Sequence, residues 1–289
     1  MTKKKALYQV HFSVFLFGFA GLFGKWIALD ALTIVWGRVF FASIAFGWWF
    51  LWKKTHPFKI SWKDYLIYIG LGALLAFHWW SFFEAIQLST VAIGLFSYSS
   101  FPVFTSVLEP LLLKKPWRPL WFLLAGMSVL GIYLILPDLS WGSAYTQGVF
   151  WGVMSGLSFA LLTVFNRFLL LSDSFISRTG ATKITFCQDF FAMICLLPFL
   201  ILDPPLITLD SWLLLMLLGV VFTALAHLLY INGLKSIEAR TASLISNLEA
   251  VYGVIFAFLL MNEKPGLNIL LGGFLILAAA LWSARISKE

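Results

Sequence analysis

A chain of 289 residues that is 61% hydrophobic and only 11% charged, with a mean hydropathy of +0.92, lies far outside the composition of a water-soluble globular protein. Its net charge of +7 comes from Lys and Arg scattered between apolar runs, with no basic stripe or tail, so nucleic acid is not an expected partner. Each bilayer crossing takes roughly 20 apolar residues, so roughly ten crossings leave only short connections and no room for an ATPase or receptor domain.

In chain order, the lengths of the apolar runs and the charged or Pro/Gly breaks between them predict helices near residues 6–27, 32–52, 65–87, 91–113 and 117–136. A second five follow near 147–171, 181–202, 212–234, 239–261 and 266–285. Lys3, Lys4 and Lys5 open the first run as they would a signal peptide, but the run continues to Ile27 with no small-residue cleavage pattern and is expected to stay as the first helix. Cys187 and Cys195 share one apolar run, where thiols act as small hydrophobes, and no chemistry is assigned to them.

The basic residues test the count. Lys3, Lys4 and Lys5, then Lys53, Lys54, Lys59 and Lys63, then Lys114, Lys115 and Arg118 fall on one side of the predicted spans. So do Arg167, Arg178, Lys183, Lys235, Arg240, Arg285 and Lys288, which leaves only Lys25 and Lys264 opposite and Arg38 inside a helix. Asp30, Asp138, Asp203, Asp210 and Glu263 lie on that opposite side. The positive-inside bias then places both termini in the cytoplasm, with the chain multi-pass in an inner (plasma) membrane. Trp52, Trp62, Trp117, Trp141, Trp212 and Trp282 at run edges fit interfacial anchoring, although some of them simply pack.

The two halves also resemble each other. Trp36-Gly-Arg-Val-Phe-Phe-Ala-Ser-Ile44 lies over Phe186-Cys-Gln-Asp-Phe-Phe-Ala-Met-Ile194, about 150 residues on, sharing Phe-Phe-Ala and the last Ile. Five spans per half is odd, so the second repeat must be inverted relative to the first. The expected fold is therefore all-α, a polytopic membrane protein of ten helices in two inverted five-helix repeats, residues 1–137 and 138–289. Gly148, Gly152 and Gly156 make overlapping small-residue spacings on the sixth helix, and Gly18, Gly21 and Gly24 do the same on the first; close helix packing is the plainer reading of both.

At Phe83-Glu-Ala-Ile86, Ser89-Thr-Val-Ala-Ile-Gly94 and Phe101-Pro-Val103, and again across Ala239 to Ala242, Leu248-Glu-Ala-Val251 and Met261-Asn-Glu263, the chain resembles the EamA-type drug/metabolite transporter superfamily. The resemblance implies a ten-helix secondary carrier of metabolites, often an exporter, with a central cavity built by both repeats. Ala250 departs from the proline frequent in the second repeat, and Lys115 stands at the first-repeat position that corresponds to the acid Glu263, so no kink or coupling role is carried over to either.

Polar groups inside hydrocarbon are costly, so each intramembrane ionisable residue is a candidate for binding a small-molecule substrate. Arg38 lies about six residues, or roughly 9 Å, inside the second helix, too deep to face lipid. Two readings compete for it: an ion pair with Glu84 at comparable depth on the third helix, or capture of an anion. Glu249 near mid-depth, with Ser246, Asn247 and Tyr252 close by in sequence, is the strongest single candidate; the plainer reading is a protonated interhelical hydrogen bond.

His78 and His227 sit one position apart under the repeat, each an interhelical hydrogen bonder or a substrate or proton ligand. Tyr98 and Ser100 precede Pro102, where a broken turn would free hydroxyls and carbonyls beside a cavity. Asp189 and Gln188 occupy the repeat position of Arg38, and Asp189 is expected to bind a cation or pair with Lys183. Glu109, before Pro110, is expected to snorkel toward the cytoplasm.

No H-E-x-x-H, nucleophile-elbow or Walker motif occurs, so neither an enzyme with catalytic residues nor a protein with a metal or cofactor is expected. Two inverted halves in one chain favour a carrier over a channel. The function expected is a secondary carrier of an amino-acid-like metabolite, exporting or exchanging it through the lipid bilayer as a monomer or homodimer. The alternative is a multidrug-type exporter of aromatic or amphipathic compounds.

Overall fold

A computed structural model describes residues 1–58, 61–113, 120–136, 140, 142–171 and 173–286. Lys59, Lys114, Lys115, Arg118, Asp138 and Lys288 of the charge pattern, and Trp117 and Trp141 of the interfacial tryptophans, lie outside the described residues, as do the side chains of Arg178, Arg240 and Arg285. The chain is all-α, with no strand among the described residues.

Its rods are α1 (Lys3–Ala20, continued by Phe23–Trp26), α2 (Ala31–Trp52), α3 (Trp62–Leu88), α4 (Val91–Tyr98 and Phe101–Leu113) and α5 (Leu120–Ile135). The second half repeats the series as α6 (Ala144–Leu171), α7 (Asp173–Leu202), α8 (Leu209–Gly233), α9 (Ala239–Ser246 and Leu248–Met261) and α10 (Leu267–Ile286). Eight of these are long and apolar enough to cross a membrane, while the apolar stretches of α5 and α10 are shorter.

Local chemistry marks where the helices begin. The side chains of Thr2, Asp30, Thr90 and Thr208 each accept a backbone N–H of the first turn. Ser61 and Asp64 form a reciprocal capping box at the start of α3. Asn262, in the left-handed region at φ 56°, stops α9. Gly180 interrupts α7 at φ 68° and ψ 164°, a backbone conformation that only glycine adopts without strain.

One irregularity was not expected from sequence: α8 widens to a π-helix over Val220–Leu225. The Thr223 hydroxyl donates to the Leu218 carbonyl five residues back, at 2.8 Å, which holds the wide turn.

The packing is reciprocal between the halves. α1 rests on α8 and α9 as α6 rests on α3 and α4; α2 packs on α7 and α8, as α7 packs on α2 and α3; α5 pairs with α10. Each contact thus has its counterpart with the halves exchanged, the arrangement that two inverted five-helix repeats produce around a pseudo-twofold axis. The glycines of α6 are what bring it close: a Cβ on Gly156 would stand 2.7 Å from the Tyr98 carbonyl oxygen, and one on Gly148 2.7 Å from Ser89. Trp48, Leu51, Phe199, Ile201, Leu259 and Phe274 are exposed on the outside of the bundle, an apolar surface that fits lipid and not water. Trp52 and Trp62, at helix ends, are exposed as well, where interfacial anchors belong.

Candidate functional site

The site grows from the interrupted helices. Pro102 has no N–H to continue α4, so the chain makes a tight turn at Ser99 and Ser100 before the second segment starts. In the second half α9 is interrupted at the single residue Asn247, without a proline. Tyr98 ends the first segment of α4 and Glu249 lies in the first turn of the second segment of α9, and the Tyr98 hydroxyl donates to Glu249 Oε2 at 3.4 Å. Both are buried.

Arg38 reaches this place from α2 and is only 1% exposed. Its Nε donates to Thr223 Oγ1 at 2.9 Å, and a terminal nitrogen donates to the Phe222 carbonyl at 3.5 Å, so the π-helical turn of α8 supplies both acceptors. The guanidinium carbon lies 3.9 Å from the centre of the Trp79 ring, a cation–π contact, and the cation sits in the field of Asp189 and Glu249. Two of five N–H donors are used in these bonds.

The two histidines are held alike. His78 Nδ1 is 3.1 Å from the Ser155 carbonyl, and His227 Nδ1 is 3.1 Å from Asp189 Oδ1. His78 Nδ1 also lies 3.0 Å from the Ser155 hydroxyl, so Ser155 holds the ring through both its carbonyl and its side chain. His78 also stacks on Phe159, with ring centres 5.0 Å apart, and His227 meets the edge of Trp79 at 5.6 Å.

These groups converge on one internal cavity. Arg38, His78, Tyr98, His227 and Glu249 line it, with Phe17, Trp79, Phe82, Phe159 and Tyr230 as aromatic walls and Thr163 and Asn166 of α6 as further polar groups. Thr163 Oγ1 and the Tyr230 hydroxyl share a hydrogen bond of 3.2 Å. The space open to the centres of water-sized spheres is about 30 Å³, room for about two waters. Its lining residues come from α1 to α4 and from α6, α8 and α9, whereas α5 and α10 contribute none.

Not every expected residue is there. Glu84 is partly exposed, is not among the lining residues, and feels the charge of Asp30. The Arg38–Glu84 ion pair, one of the two readings for Arg38, is not formed: Arg38 bonds to α8 instead. Asp189 stands one layer behind the cavity, and the groups acting on it are His227 and Arg38 in place of the expected Lys183.

Ser100 turns back to the Ser97 carbonyl at 2.8 Å. Tyr252 packs its ring edgewise on Phe15 at 5.5 Å, and Asn247 is buried beside the cavity without lining it. Glu109, expected to snorkel, is instead 2% exposed and acts on Arg167. Sequence reasoning passed over Thr163, Asn166 and Tyr230; two polar residues in the apolar run of α6 and a tyrosine three positions after His227 were the available signals.

No group of three or more metal-ligating side chains occurs among the described residues.

The EamA-like transporter family model matches residues 4–136 and again 146–285. The chain is 22% identical over 284 residues to the uncharacterized transporter YxxF of Bacillus subtilis (strain 168), covering 96% of this chain and 88% of that one. It is 26% identical over 276 residues to an uncharacterized transporter of Archaeoglobus fulgidus, covering 94% of each. A crystal structure of a protein 15% identical in sequence superposes with a TM-score of 0.70, over 98% of this chain and 99% of the other, and shares its fold. With an all-helical bundle of membrane-spanning length and a family match across both halves, this chain is a multi-pass membrane transporter belonging to the EamA-like transporter family.

Proposed function

We propose that this chain is a secondary carrier of a small zwitterionic, amino-acid-like metabolite, working by alternating access as an exporter or exchanger and not as an enzyme. The observation that carries the reading is that Arg38 and Glu249, one from each half, line the same aromatic-walled cavity. Arg38 has N–H donors beyond its two bonds for a carboxylate, and Glu249 offers an acceptor for an ammonium group. A cavity with room for about two waters must widen to admit such a solute, which favours helix movement over a standing pore. In this reading residues 1–137 and 138–289 are the two repeats that move against each other, and the distribution of Lys and Arg supports an inner membrane location with cytoplasmic termini.

The preponderance of aromatic rings around the cavity favours a second reading, export of aromatic or amphipathic compounds. Thermal stabilisation of the purified protein across amino acids, organic acids, nucleosides and aromatic cations separates the two, since a ligand of the folded state raises its stability. The first reading expects a zwitterion to stabilise the protein and Arg38→Gln and Glu249→Gln to abolish that effect. Stabilisation by aromatic cations alone, unchanged in both variants, overturns it in favour of the second.

A further inference from the structure

At one end of the bundle the chain turns from α3 into α4 at Ser89 and Thr90. Lys25, in the last turn of α1, donates from Nζ to the carbonyls of Gln87 at 3.2 Å and Ser89 at 3.0 Å. Glu263, just beyond α9, accepts the N–H groups of Val91 at 3.2 Å and Ala92 at 3.0 Å. A cation thus closes the C-terminal end of α3 and a carboxylate the N-terminal end of α4, each matched to the helix dipole it meets.

The opposite end of the bundle carries the counterpart. The chain turns from α8 into α9 between Leu234 and Glu238, and Arg167, near the end of α6, donates to the Leu234 carbonyl. Arg167 lies in the field of Glu109 from α4 and of Glu238. α6 is the repeat of α1, and α8 is the repeat of α3, so Lys25 and Arg167 do the same work on opposite faces of the membrane. In both places an acid acts from the half that does not own the cation: Glu263 on Lys25, and Glu109 on Arg167.

We propose that Lys25 with Glu263, at the α3–α4 turn, and Arg167, at the α8–α9 turn, are the two gate latches of the carrier, released in alternation, so that breaking one opens the cavity to that face alone. This rests on the alternating-access reading. The helices joined at each turn bear the cavity groups: His78, Trp79 and Tyr98 belong to α3 and α4, His227, Tyr230 and Glu249 to α8 and α9. Moving a turn therefore moves one wall. The contacts suit a gate because Lys25 is exposed and Arg167 is half-buried, so water replaces their hydrogen bonds when they part. The apolar packing of α1 through Ala6, Val10 and Val14, by contrast, is fully buried and is scaffold.

The test is side-specific labelling. Cys187 and Cys195 are replaced by Ala, Ala20→Cys provides a single thiol on the cavity wall, and a membrane-impermeant maleimide is applied to vesicles of either orientation. Lys25→Met or Glu263→Gln is expected to raise labelling from the α3–α4 face at least threefold and lower it from the other. Arg167→Met is expected to do the reverse, and Lys25→Arg and Arg167→Lys, which keep the caps, to label as the parent does. Variants that shift labelling equally at both faces, or well-folded variants that leave it unchanged, overturn the latches. A variant that fails to fold counts against them if its charge-conserving partner fails too, because the contact is then scaffold. Labelling needs no substrate, so the latches stand or fall separately from the zwitterion reading.

Discussion

The helices interrupted beside the cavity, α4 and α9, hold equivalent places in the two halves, yet their interruptions are made of different chemistry. In α4 the missing N–H of Pro102 forces the turn, and the hydroxyls of Ser97, Ser99 and Ser100 all donate back to carbonyls of their own helix at 2.7 to 3.0 Å. Its serines thus bond to their own helix, while Tyr98 reaches across to Glu249. In α9 the amide nitrogen and oxygen of Asn247 are buried with no hydrogen-bond partner among the described residues, and Glu249 two positions on faces the cavity. The α4 break satisfies its own serine hydroxyls, whereas the α9 break leaves a buried amide open. The cavity groups still come from both halves, Arg38, His78 and Tyr98 from the first and His227 and Glu249 from the second.

The comparison breaks most visibly at the contact between α6 and the α4 turn. Gly156→Leu drives a side chain against the Tyr98 backbone and is expected to destabilise the protein by about 3 kcal/mol, read as a drop in thermal midpoint in detergent. Gly70→Leu on α3, where nothing stands within 4 Å, is the control and should leave the midpoint in place. Equal losses in the two would mean that the close approach is not what supports the turn.

A smaller effect separates the two interruptions directly. Ser100→Ala removes a satisfied buried hydrogen bond and should cost about 1 kcal/mol, whereas Asn247→Ala removes an unsatisfied amide and should cost nothing or raise stability by up to about 1 kcal/mol. If both variants lose the same stability, the contrast drawn between α4 and α9 is wrong. The smallest effect belongs to the link across the halves. Tyr98→Phe deletes the 3.4 Å bond to Glu249, and interhelical hydrogen bonds in membranes average about 0.6 kcal/mol, so its unliganded midpoint should barely move.

Much of the scaffold was legible because its causes are local. Run length against hydrocarbon thickness sets the spans, and Thr2, Asp30, Ser61, Thr90 and Thr208 mark helix starts by chemistry within four residues of the chain. Depth was legible for the same reason: Arg38 and Glu249 were expected to face a cavity, and both line one.

What tertiary structure decided was direction. Successive helix residues point about 100° apart, so residues at one depth, such as Arg38 and Glu84, face the cavity or leave it according to how each helix is turned in the bundle. That rotation is fixed by contacts between halves: Gly156 against Tyr98, and the packing of α2 on α8. The π-helical turn over Val220–Leu225, which gives Arg38 its two acceptors, likewise has no signature in apolar run length. Composition and spacing determined that this chain lives in a membrane and at what depth each polar group lies; only the packing of one half on the other determined which of those groups share a site.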